Sequence, residues 1–177
     1  MYFEDPAGSK TGKLFPTGNK RDMFDVPDYG KIEVTVLDCS NPMVFIRAKD
    51  LGIQGTELVE LNQNKAVMEH IERIRCIAAL KCGFVEKWED ARTKSTSAPK
   101  VSIISEPQDY IDMDKNQVKA ESMDICCRAI SVGSLHKAYP MTVAVGTGAA
   151  ARIPGTIVNE IAKPAPDQDI IKIGHSS

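Results

Sequence analysis

Four places in this chain combine residue types and spacing that could do chemistry, and each also has a purely structural explanation. The first is Thr142-Val143-Ala144, near the start of an uncharged stretch from Ala138 to Ala151 crowded with Ala, Val, Thr and Gly. Pro140 suits the approach to a helix and Pro154-Gly155 its end. The first turn of a buried helix offers unpaired N–H groups and the positive end of the dipole, a receptor for a carboxylate or phosphate. The structural alternative is a core helix whose first N–H groups are capped by Thr142. The second place is Gly146-Thr147-Gly148-Ala149-Ala150-Ala151, a GxGxxA match preceded by Val143-Ala144-Val145. A dinucleotide-binding turn needs a helix of reasonable length and a following parallel strand. Pro154-Gly155 interrupts too soon for that. The third is His136 beside Lys137, which could donate to an anion or move a proton near neutral pH, or be an ordinary loop histidine. The fourth is Asn41-Pro42, whose amide either bonds its own backbone in a turn or points into a cleft.

Other chemistries find little support. Glu57, Glu60, Glu69 and Glu72 form no isolated carboxylate pair in an apolar setting. There is no GxSxG, no Walker A motif and no Ser/His/Asp order that stands out. The cysteines (Cys39, Cys76, Cys82, Cys126 and Cys127) contain no CxxC pair, and adjacent Cys126 and Cys127 would alternate faces on a strand. No metal site is expected from such spacing. An odd cysteine count and an acidic N-terminus without a basic apolar run lead us to expect a cytoplasmic protein. The net charge of −2, from 22 basic and 24 acidic residues, gives no electrostatic case for nucleic acid or an anionic membrane. No apolar run reaches the roughly 17 residues needed to span a bilayer.

These candidate groups need elements to position them. Residues 1–30 are rich in Gly, Pro, Asp and Lys and read as loop and turn. Ile32, Val34 and Val36 alternate with polar residues, the pattern of a half-buried strand. Met43 to Ile46 reads as a second, more buried strand. Thr56 is placed to cap a helix near Leu58. A long helix is expected from about Asn64 to Cys82, with Val67, Ile71, Ile74 and Ala78 on its core stripe and Arg73 and Arg75 off it. Gly83 would stop it. Glu86 to Lys94 suits a short helix, Thr93 to Pro99 a Ser/Thr linker, and Lys100 to Ser105 a strand. Gln117 to Ile130 suits one long strand, and Asp169 to Ile173 a last one. His70 falls among charges on the long helix, where a surface position is expected, and His175 has no assigned partner. A helix apolar on every side, as Ala138 to Ala151 would be, must be surrounded by protein. The pattern therefore suggests strands wrapped around one short helix.

Several stretches, in order, resemble the PrpF family of isomerases. They are Asp5-Pro6-Ala7-Gly8-Ser9-Lys10-Thr11-Gly12, Leu14-Phe15-Pro16-Thr17-Gly18-Asn19, Asn41-Pro42-Met43-Val44-Phe45-Ile46-Arg47-Ala48 and Asp50-Leu51-Gly52-Ile53-Gln54-Gly55-Thr56-Glu57. They continue with Ala98-Pro99-Lys100-Val101, Leu135-His136-Lys137-Ala138-Tyr139-Pro140 and Ala150-Ala151-Arg152-Ile153-Pro154-Gly155-Thr156. Each piece is weak alone, but together they cover nearly the whole chain. The resemblance implies an α+β, diaminopimelate-epimerase-like fold, with a mostly antiparallel sheet wrapped around a central apolar helix. On that reading residues 1–30 are a linker-like segment. Residues 31–177 are a single second domain, truncated at its C-terminal end.

The resemblance also implies an activity. Family members isomerise small unsaturated di- or tricarboxylates such as 2-methylaconitate by proton transfer, without cofactor or metal, in a cleft between two domains. The family's lysine and cysteine acid/base candidates belong to a first domain with a CGN motif, which does not occur in this sequence. No catalytic residue is therefore assigned here, with His136 the one candidate. Asn19, Asn41, His136, Thr142 and Val143 are the expected substrate contacts. Val143, Ala144 and Val145 stand where epimerase relatives carry a cysteine. The expected partners are a small carboxylate and either a second copy in a homodimer or a first domain. The alternative is a non-catalytic binding or oligomerising domain derived from such an enzyme.

Overall fold

The structure, a computed structural model, describes residues 4–177. The strands are β1 (Asp22–Val26), β2 (Gly30–Cys39), β3 (Asn41–Arg47), β4 (Lys100–Ser105), β5 (Tyr110–Ile111), β6 (Gln117–Val118), β7 (Ile125–Ser131), β8 (Ser134–Leu135) and β9 (Ile173–Gly174). The helices are α1 (Lys65–Lys81), α2 (Ala91–Lys94), α3 (Met141–Arg152) and α4 (Ile157–Ala162). One mixed sheet runs β1-β2-β3-β4-β7-β8, and β9 also pairs with β7. Its ladders are antiparallel except β3–β4 and β7–β9. The fold is α+β, and β5 and β6 form a separate small ribbon.

Side-chain alternation gives the sheet two apolar faces. Ile32, Val34 and Val36 of β2 join Val44, Ile46, Val101 and Ile103 under α1. Leu37 and Cys39 of the same strand join Met43, Phe45, Ile104 and Cys127 under α3 and α4. Helix α1 starts where the Asn64 side chain accepts from the Val67 N–H, and it buries Ile71, Ile74 and Ala78. Gly83 follows its cap at a φ of 77°, a left-handed value that glycine adopts without strain. Helix α3 turns Val143, Gly146, Thr147, Ala150 and Ala151 inward. A Cβ on Gly146 would lie 2.7 Å from the Met43 sulfur, so glycine is what lets α3 approach this closely. Thr156 caps α4 by accepting from the Asn159 N–H.

Several expectations are corrected. Part of the 1–30 segment is strand: Phe24 and Val26 of β1 are buried while Met23 and Asp25 face out, in register with β2. The pairing is made by a tight turn with Asp28 and Gly30 at positive φ. Arg75 is buried rather than off the core stripe. It pairs with Glu72 and donates to the carbonyls of Ala91, Ser95 and Ala98. Those bonds pin the segment expected to be a linker. Thr56 caps nothing, because only a 3-10 turn, Val59–Gln63, follows. The stretch from Gln117 to Ile130 is broken by a 3-10 turn at Ala120–Ser122, and the last strand shrinks to Ile173–Gly174. His70 is half-buried, stacked on Tyr29 with ring centroids 4.2 Å apart. Finally, the sheet covers one side of α3. Ala144, Val145, Gly148 and Ala149 on its other side stay partly open among the described residues.

Candidate functional site

One end of the sheet, on the α3 face, collects groups that an ordinary core would not leave there. Asn41 opens β3, two residues before Met43, and has the same parity as the Met43 and Phe45 side chains beneath α3. It is 9% exposed, and its Oδ1 is buried without a hydrogen-bond partner. A buried acceptor left unpaired costs about 1–3 kcal/mol. Lys100 opens β4 directly beside Met43. Its neighbour Val101 faces α1, so Lys100 stands on the α3 face with Ser102. Its Nζ donates to Ser131 Oγ at 3.1 Å, across the β4–β7 ladder. Burial and then the nearby Lys10 push its ammonium below the usual lysine range.

Lys10 is put there by Asp38. That carboxylate accepts from the Lys10 and Thr11 N–H groups at 2.8 and 2.7 Å, and from the Ser9 and Thr11 hydroxyls. Burial pushes Asp38 up, but these bonds outweigh it and hold the carboxyl below its ordinary value. The Gly8 N–H to Asp38 carbonyl bond and the Asp38 N–H to Leu14 carbonyl bond lay the segment along the end of β2.

The start of α3 is anchored by a buried hydroxyl chain. The Tyr139 hydroxyl lies 2.7 Å from both Ser102 Oγ and Thr147 Oγ1, and Thr147 donates to the Val143 carbonyl. Burial holds the Tyr139 phenol neutral, well above its usual range. The helix has no side-chain cap, so the expected capping by Thr142 is absent. The Val143 and Ala144 N–H groups both donate to the Pro140 carbonyl at 2.9 Å. The expected Val143 N–H contact is therefore already used inside the protein. The N–H groups of Met141 and Thr142 have no acceptor among the described residues. They are the free end of the dipole. Val143 to Val145 lie within α3, so the glycine motif is not a strand-to-helix turn and the dinucleotide geometry fails.

The remaining expected residues fall in different places. His136 is exposed just after β8. Its Nδ1–H donates to the Ala138 carbonyl at 2.6 Å, and its own carbonyl accepts from Ser176. It is on the approach to α3. Asn19 is not: its amide donates to Asp22, and neighbouring Lys20 reaches the Pro154 carbonyl. That is past the other end of α3, roughly 18 Å of helix away. The structure thus brings Asn41, Thr142 and the approach carrying His136 to one face, and leaves Asn19 apart. Sequence reasoning missed Lys100 and Tyr139. A lysine at the head of Val101-Ser102-Ile103-Ile104, apolar but for Ser102, was the one available signal for Lys100.

Elsewhere the chemistry is quiet. Burial raises every cysteine thiol, Cys76 to about 11 and Cys82 to about 12, so none is a ready nucleophile. Among the described residues no His, Cys, Asp or Glu cluster could hold a metal, and no helix is long and apolar enough to cross a membrane. A cavity of about 670 Å³ opens at the far ends of β3 and β4, lined by Arg47, Gln54, Ser105, Gln108 and Lys163. Arg47 is committed there to Glu33 and Glu160. Arg47 Nε there is also buried without a partner, as Asn41 Oδ1 is. The Asn41 end is the candidate site because it additionally holds the uncapped start of α3 and the half-buried Lys100.

The PrpF protein family matches residues 1–177. The chain belongs to the PrpF family. It is 37% identical to a 3-methylitaconate isomerase of Eubacterium barkeri over 99% of this chain and 46% of that relative. It is 36% identical to a 2-methyl-aconitate isomerase of Shewanella oneidensis over 100% of this chain and 45% of the relative. A crystal structure of methylitaconate-delta-isomerase superposes on it with a TM-score of 0.94 at 36% identity, covering 98% of this chain and 45% of that one. This PrpF chain therefore spans less than half the length of those relatives.

Proposed function

We propose that this PrpF chain forms one wall of the active-site cleft of a cofactor-independent isomerase, acting in the cytoplasm on small unsaturated di- or tricarboxylates such as 2-methylaconitate. In this reading the fold is diaminopimelate-epimerase-like and α3 is its central helix, whose open side meets the rest of the cleft. The reaction takes a proton from a carbon next to the conjugated double bond and returns it at another carbon. The charge that develops is shared with a carboxylate. Fixed N–H dipoles and cations aimed at that carboxylate lower the barrier because they need no reorganisation.

The observation that carries the reading is the pairing of free N–H groups at Met141 and Thr142 with the unsatisfied amide of Asn41 on one sheet face. The free N–H groups lie at an exposed helix start and suit an anion. The buried Asn41 Oδ1 is an acceptor, so it is the Nδ2 donor end of that amide that would meet a carboxylate. The N–H groups of Met141 and Thr142 take the role expected of Val143. His136 stands at the rim with its Nδ1–H held by the Ala138 carbonyl, so it would donate to a carboxylate only from the Nε2–H of its imidazolium form. Asn19 is a distant contact. Proton-transfer groups come from a further domain, as the name of the isomerase relatives and their greater length support. A second reading, a non-catalytic oligomerising module, is favoured by the open side of α3 at Ala144, Val145, Gly148 and Ala149.

Calorimetric titration of the purified chain with 2-methyl-cis-aconitate separates the two. Binding at millimolar concentration or tighter, weakened in Asn41→Ala, is the expected result. A chain that takes no carboxylate but dimerises by light scattering is the module instead.

A further inference from the structure

We infer that Lys100 is a substrate-carboxylate ligand of this chain. The inference deepens the half-site reading above and rests on it. Lys100 is half-buried, and its only recorded side-chain partner among the described residues is the neutral Ser131 hydroxyl. A partly desolvated ammonium with a second lysine nearby and no carboxylate on it is unfavourable in the free protein. Lysines in a merely structural role are usually solvated or paired. Arg75 illustrates the paired solution in this same molecule, with Glu72 on its guanidinium.

Its placement matches a carboxylate. The strand register sets Lys100 beside Met43, whose sulfur meets Gly146 of α3. Asn41 is two residues along β3 on the same face, about 7 Å away along the strand. Ser102, two residues along β4, touches the Tyr139 hydroxyl that anchors the start of α3. A ligand with two or three carboxylates spans distances of this size. One carboxylate would take the Met141 and Thr142 N–H groups and another the Lys100 ammonium, with the Asn41 Nδ2 donor on the same sheet face. A monocarboxylate cannot use both ends. Two further contacts hold the lysine in register: Arg75 bonds the Ala98 carbonyl just before β4, and Asp38 bonds the Lys10 N–H.

The test uses trans-aconitate and crotonate as tricarboxylate and monocarboxylate probes of the full chain. Trans-aconitate is expected to bind at least tenfold tighter than crotonate. Lys100→Met should weaken trans-aconitate by roughly tenfold to a hundredfold, the range of a charge-assisted hydrogen bond, with little change for crotonate. Lys100→Arg should restore part of the loss. NMR of the unsubstituted chain gives a readout that needs no variant: trans-aconitate should raise the pKa of the Lys100 ammonium. Equal binding by Lys100→Met, or no ligand-induced change at that ammonium, overturns the lysine's role while the half-site stands if Asn41→Ala still weakens binding. Failure of the unsubstituted chain to bind either probe overturns the half-site reading itself, and this inference with it.

Discussion

The two faces of the sheet are built on different terms. Under α1 the contacts are between bulky aliphatic side chains, Ile71, Ile74 and Ile77 against Val34, Val36, Val44 and Val101. Under α3 only the helix side is small, with Gly146, Ala150 and Ala151 facing the large Met43 and Phe45 of the sheet. The first face buries large apolar area and supplies stability at roughly 25 cal/mol per Å². The second gives up area to bring a helix start close to the sheet, and it keeps Tyr139, Ser102 and Thr147 hydroxyls buried among carbon. It also tolerates an unpaired Asn41 and a half-buried Lys100. One face is spent on holding the fold and the other on holding a polar site in place, a division seen where function opposes stability.

Substitutions can break this contrast. The largest expected effect is on the α1 face. Ile74→Ala leaves a cavity beneath a fully buried position and should cost about 2–5 kcal/mol in denaturant unfolding. Where the variant remains folded, its carboxylate affinity should be unchanged, because α3 is on the other side. Tyr139→Phe should be smaller in stability, about 1–2 kcal/mol, since Thr147 keeps its bond to the Val143 carbonyl while Ser102 loses its partner. It should nevertheless weaken carboxylate binding, as the start of α3 is no longer pinned to β4. An affinity left intact by Tyr139→Phe and reduced by Ile74→Ala would invert the assignment of the two faces.

The smallest effect concerns acid stability. Asp38 has a folded pKa below its unfolded one, so its contribution is full above the unfolded value of about 3.9 and fades as pH falls through the folded value. Thermal melts from pH 6 downward should therefore show Asp38→Asn less stable than the unsubstituted chain at pH 6, by about 1 kcal/mol, with the gap closing below about pH 4. A gap that stays constant with pH would mean that the carboxylate charge is not what holds Ser9 to Thr11.

The sequence carried most of the frame and only part of the site. Strict alternation in β2, the stripe of α1 and the punctuation around α3 by Pro140 and Pro154-Gly155 placed those elements within a residue or two. Edge strand β1 was hidden in a Gly- and Pro-rich stretch, because its pairing with β2, rather than local propensity, makes it a strand. Arg75 reads as a surface charge on a helical wheel, and only the carbonyls of a segment 16 to 23 residues away make its burial sustainable. Asn41 and Thr142 drew attention in the sequence because turn and helix-start chemistry is local, although Asn41 opens a strand and Thr142 makes no cap. Lys100 was not, since its meaning comes from Lys10, Ser131 and Met43 on other elements.

By itself, then, the amino-acid order determined the family, the long helix α1 and a helix poor in side chains large enough to fill space. Its alternation read as a half-buried β2, whereas the structure covers both faces of that strand. Periodicity and ordered motifs are properties of neighbouring residues, so they survive without coordinates. Which N–H groups of α3 remain free, and which charge stands unpaired beside them, was decided by tertiary structure alone. Those facts depend on which carbonyl or carboxylate another part of the chain delivers to within 3 Å. Pro140 took the Val143 N–H, and among the described residues no carboxylate came to Lys100.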